Sequence, residues 1–63
     1  MDNYIIYNRM GKWYGTSEKN YLQMIMDASK IQAFNGFTSG QQVKEYLLKY
    51  TNLKDNNITI MEV

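Results

Sequence analysis

Apolar and polar positions along this chain change period several times, and each change marks an element. Val43, Tyr46, Leu47 and Tyr50 recur at helical spacing and form one apolar stripe, with Gln42, Lys44, Glu45 and Lys49 mostly away from it. Thr38 and Ser39 precede the stripe, and both are N-cap types whose side-chain oxygen accepts from an unpaired N–H of the first turn. Gln41 and Gln42 follow them at capping-box spacing. Glu45 and Lys49 form an i,i+4 pair in the favourable order. Thr51-Asn52 predicts the stop, because Asn tolerates the left-handed conformation that ends helices. The pattern predicts a helix over 38–50, with Leu48 off the stripe.

Elsewhere the pattern is strand-like. Tyr4-Ile5-Ile6-Tyr7, between asparagines, reads as a strand. Arg9-Met10-Gly11 reads as a turn, Gly11 being free to take positive φ, and Lys12-Trp13-Tyr14 as the returning strand. Residues 15–20 are polar and read as a loop. Residues 57–63 alternate, with Ile58 and Ile60 toward the helix and Thr59, Met61 and Val63 away from it. Residues 20–34 admit two readings. Helix propensity, a Ser17 cap and a stop at Asn35-Gly36 make them helical. Alternation over Asn20 to Met26 makes a third strand, followed by a helical turn at Ala28 to Gln32. We adopt the strand, because a two-stranded hairpin is marginal alone and a wider sheet covers the helix. The expected fold is a small α+β domain: an antiparallel meander, one helix packed on one face and a returning C-terminal strand, βββαβ, with ββααβ as the alternative. The last strand would lie parallel to the first or the third.

A chain of 63 residues is one small domain. Such a domain buries only about 60% of the surface its unfolded chain exposes, so its core is limited. There is no cysteine and no histidine. Disulfide staples and a zinc site built from those residues are therefore ruled out, and the lack of cysteine fits a cytoplasmic setting. Oligomerisation or a partner is left to support the fold, and a homodimer is the expected solution. Seven basic and six acidic residues leave a net charge of +1, which is no footprint for nucleic acid. No apolar run approaches the ~20 residues that span a bilayer, so no membrane partner is expected. No signal peptide pattern opens the chain.

The hairpin Tyr4-Ile5-Ile6-Tyr7-Asn8 with Gly11-Lys12-Trp13-Tyr14, the segment Asp27 to Phe34, the run Ser39…Val43-Lys44-Glu45-Tyr46-Leu47 and the closing Ile58 to Val63 resemble very short proteins encoded by bacteriophages of Gram-positive bacteria. The likeness spans most of the chain, but its motifs are packing motifs. It departs in a Met-rich third segment and in Asn35-Gly36-Phe37. The resemblance implies binding and inhibition of a host protein, including immune systems such as CRISPR nucleases. It carries over no catalytic residue.

The residues themselves agree with a non-catalytic role. General acid–base work wants His or perturbed carboxylates. Asp2, Glu18, Asp27, Glu45, Asp55 and Glu62 are scattered, and Ser17, Ser29 and Ser39 have capping or loop roles. Gly11, Gly15, Gly36 and Gly40 are isolated, so there is no phosphate loop. No catalytic residue, metal site or cofactor is expected. Arg9, Lys12 and Lys19 near Tyr7, Trp13, Tyr14 and Tyr21 can be read as a single-strand stacking platform, which makes a small nucleic-acid-binding accessory protein the alternative. The near-neutral charge favours solvated lysines and packed tyrosines instead.

One helix covers one sheet face. If Tyr4 and Ile6 point inward, Ile5, Tyr7, Tyr14, Thr59, Met61 and Val63 lie on the other face, though the hairpin parity leaves the two sets exchangeable. Either way an apolar, Tyr-rich face is expected to be open, and such patches mark interaction sites. Trp13, Tyr14 and Tyr7, with Arg9 in the turn, are the expected partner-binding residues, Trp13 having core packing as its competing role. The expected activity is inhibition of a host defence or replication enzyme by masking one of its surfaces.

Overall fold

The first hairpin turns on Met10 (φ 54°) and Gly11 (φ 82°). Positive φ at both central residues is the arrangement of a type I′ turn, whose twist matches that of the strands it joins. Asn8 Oδ1 accepts from the Gly11 N–H at 3.1 Å and closes the loop. In this computed structural model, which describes residues 3–22 and 27–61, the hairpin joins β1 (Tyr4–Arg9) to β2 (Lys12–Ser17) in antiparallel register, from Tyr4 opposite Ser17 to Arg9 opposite Lys12. β2 therefore runs three residues beyond the expected Tyr14. The polar stretch Gly15-Thr16-Ser17 is strand, since each of its residues finds a partner on β1.

Ser17 then turns the chain into a short helix, α1 (Glu18–Leu22), not into a third strand. Its hydroxyl oxygen accepts from the Asn20 N–H at 3.2 Å, and Glu18 occupies the first turn, where a carboxylate favours a helix start. The expected strand over 20–26 is thus corrected for 20–22; residues 23–26 lie outside the described ones. Asp27 caps a 3₁₀ turn at Ala28–Lys30 by accepting from the Ser29 N–H, and this turn falls within the expected helical turn. The third strand follows it: β3 (Gln32–Phe34) pairs antiparallel with β2, Phe34 opposite Trp13.

Helix α2 (Gly40–Tyr50) forms where the apolar stripe placed it. Ser39 is the N-cap and accepts from the Gln42 N–H at 3.1 Å, while Gln42 Oε1 reaches back to the Thr38 N–H at 2.8 Å. The helix ends on Thr51 in extended backbone, its N–H and hydroxyl both donating to the Leu47 carbonyl; Asn52 takes no left-handed conformation. The expected Glu45–Lys49 pair does not form. The ion pair among the described residues is Lys44–Asp55 at 2.7 Å, and the Lys49 ammonium lies over the Tyr50 ring instead. Being largely exposed at Asp55, that pair contributes about 0–1 kcal/mol.

β4 (Ile58–Met61) closes the sheet parallel to β1, giving the order β3-β2-β1-β4. The domain is α+β with a four-stranded mixed sheet and one main helix, and its element order, ββαβαβ, is neither of the two expected. Ile6, Phe34, Val43, Leu47 and Ile58 are buried between sheet and α2, with Tyr4, Trp13, Phe37, Leu53 and Ile60 packed around them. Tyr46 and Tyr50 lie at the margin of the stripe and are exposed; Tyr46 packs edge-on against Phe34 and Phe37. Among the described residues no helix is long and apolar enough to cross a membrane.

Candidate interaction groove

Register decides which side chains share a face. Tyr7 lies opposite Tyr14 and Arg9 opposite Lys12, so these four project from the sheet face away from α2. Trp13 lies opposite Asn8 and projects to the other face, against the α2 core. The four expected partner-binding residues therefore divide. Tyr7, Arg9 and Tyr14 come together, whereas Trp13 packs beneath the start of α2. A Cβ on Gly40 would sit 3.0 Å from its ring and 2.5 Å from Ile60. Adjacent residues of one strand point to opposite faces, which is why Trp13 and Tyr14 cannot share this surface.

The face away from α2 is also less open than expected. Ile5 and Tyr7 are 4% and 8% exposed, because α1 folds over this end of the sheet. Thr16, 1% exposed, holds the cover in place: its hydroxyl donates to the Lys30 carbonyl and accepts from Asn20 Nδ2. Tyr21 from α1 packs tilted against Tyr7, ring centroids 5.2 Å apart, and Tyr7 stacks on Tyr14 at 5.7 Å. Among the described residues, what stays open is the turn end. There, a groove of about 590 Å³ is lined by Tyr7, Arg9, Met10, Lys12, Tyr14, Ala28 and Ile31.

Met10, Ala28 and Ile31 were not foreseen as binding residues, and Lys12 was expected only in the nucleic-acid reading. A two-residue turn places Lys12 opposite Arg9, so Lys12 and the turn-tip Met10 were legible in principle. Ala28 and Ile31 reach the groove only through the fold of the cover and left no local signal. Neither Arg9 nor Lys12 pairs with a carboxylate of the described residues. Asp27, at the start of the adjacent turn, instead accepts from the Ser29 N–H and hydroxyl, which hold its carboxyl below the usual carboxylate range. Among the described residues no cluster of three or more Asp, Glu, His or Cys side chains is placed to hold a metal.

Burial pushes the Tyr7 phenol up; Arg9 opposes this, and Tyr21 and Tyr14 add to it. Burial also raises Tyr4, with Tyr7 adding to it. Above the ordinary tyrosine value of 10.0, the unfolded chain ionises these groups while the folded one still holds their protons. Stability tied to them is complete below that value and is lost as pH rises through the raised folded values. Urea unfolding at successive pH values above 10.0 is expected to show falling midpoints, with a shallower fall in Tyr7→Phe. An equal fall in the variant would show that Tyr7 carries none of it.

Comparison with protein-family models, with curated proteins and with solved structures finds no match.

Proposed function

We propose that this chain is a small non-catalytic binding protein that docks on a host protein and masks a surface of it. This is the role implied by its resemblance to phage anti-defence proteins, anti-CRISPR proteins among them. The observation that carries the reading is Met10. It sits in the left-handed region, where Asn, Asp or Gly costs less, and its side chain is 93% exposed at the rim of the groove. A flexible apolar side chain held out at a strained turn tip gains nothing for the fold. Met is enriched in interfaces, and an exception to local preference is expected where function requires it.

Met10→Asn is therefore expected to raise stability by a little under about 1 kcal/mol, from the turn preference alone, while weakening capture of the partner. Tyr14→Ala, at a half-buried groove position, is expected to keep the fold and lose capture by tenfold or more, as an interface anchor does. Immobilised parent and variants exposed to one bacterial lysate, with quantitative mass spectrometry, check both. Retention of the same partner by both folded variants would remove the groove from the reading.

The proposal places the chain in the host cytoplasm as a homodimer. β4 is an edge strand of apolar and Thr residues, with no charge or proline to block pairing with a second copy. Light scattering at micromolar concentration is expected to give twice the 7.5 kDa chain mass, and the monomer mass alone would refute the dimer.

A further inference from the structure

We infer that the groove takes an acidic, extended segment of the partner, its carboxylates on Arg9 and Lys12 and an apolar side chain laid against Tyr14 and Ile31. The inference rests on the protein-binding reading above. Arg9 and Lys12 are directly opposite across the hairpin and both exposed. Side chains in such a pair stand about 4.5–5.5 Å apart at Cβ, where like charges repel. No carboxylate of the described residues relieves them, and the nearby Asp27 is held by Ser29. A carboxylate arriving between two such cations removes the repulsion and gains charge-assisted hydrogen bonds, including a bidentate one to the Arg9 guanidinium. The tyrosine rings, Met10 and Ile31 supply the apolar wall that a peptide side chain needs. Two cations on a chain of net charge +1 neutralise too few phosphates to hold a nucleic-acid strand at physiological salt.

The test is an NMR titration of the ¹⁵N-labelled full chain with a blocked peptide of sequence Glu-Asp-Phe-Glu-Asp. Comparison probes are its Gln/Asn counterpart, an oligothymidylate and inorganic phosphate. Saturable shifts are expected at the amides of residues 9–12, Tyr14 and Ile31. Binding should be about tenfold weaker for the neutral peptide, and about tenfold weaker again for the acidic peptide on Arg9→Glu/Lys12→Glu or Arg9→Gln/Lys12→Gln. Equal binding of the neutral peptide, tighter binding of the oligothymidylate or phosphate, or no shift at millimolar peptide would each overturn the inference. So would shifts at these amides on concentrating the chain alone, since a second copy would then be the occupant. If partner capture still falls in Met10→Asn and Tyr14→Ala, the binding face survives and only the acidic occupant is lost.

Discussion

Trp13→Ala is expected to unfold the domain, not simply to release a partner. The Trp13 ring fills the space between β2 and the first turn of α2, beside Ile60 and under Gly40, where there is no room even for a methyl group. Truncating a buried tryptophan costs about 3–5 kcal/mol, the lost transfer energy plus the cavity left behind, and the partly buried Trp13 falls at the lower end. A core this small supplies roughly 3–5 kcal/mol in all. The two are comparable in size, so the folded population collapses. Circular dichroism is expected to show loss of the cooperative thermal transition, with Trp13→Phe retaining a transition at lower temperature. A Trp13→Ala variant that melts like the parent would return Trp13 to the surface and undo the division of the four candidate residues.

Ile6→Ala is expected to have an effect of the same order by a different route. Ile6 is fully buried at the centre of β1, flanked by Gly15 on β2 and Ile60 on β4. Gly15 has no side chain of its own to spread into the hole, and the Tyr4 side chain lies over it, its hydroxyl 2.5 Å from where a Cβ would stand. Ile6 is fully buried, so the cost falls within the about 2–5 kcal/mol range for removing a buried isoleucine side chain. Leu48→Ala, on the exposed side of α2, is the control and is expected to stay within about 0.5 kcal/mol of the parent. Urea midpoints for the two variants check the contrast; similar midpoints would mean that the core is not centred on Ile6.

Much of this fold is written in local chemistry. Ser39 caps α2, Val43 and Leu47 define its buried side, Met10-Gly11 turns the hairpin, and Ile58 and Ile60 set the inward face of β4. Residues 18–34 were less legible for a physical reason. β3 is three residues long and carries one core side chain, Phe34, with Gln32 and Ala33 exposed, so it shows no alternation to read. The alternation that is visible, over 20–26, begins inside a helix that Ser17 starts. The expected open face failed in part because its cover, α1, is fastened through Thr16 and Asn20, polar residues that no apolar pattern reveals. For the groove, Tyr7, Arg9 and Tyr14 were accessible to strand parity once the turn was fixed at two residues. Trp13 was grouped with them by nearness in sequence, whereas the two-residue period of a strand separates it from Tyr14.

The claim on which the functional account stands is that the working surface is the turn end of the sheet face away from α2. Amide hydrogen exchange, with and without the captured partner, tests it directly. Added protection is expected at the amides of Met10, Gly11, Tyr14 and Ile31, which line or border the groove. Protection confined to the outer side of α2, around Lys44 and Leu48, with these amides unchanged, would contradict it.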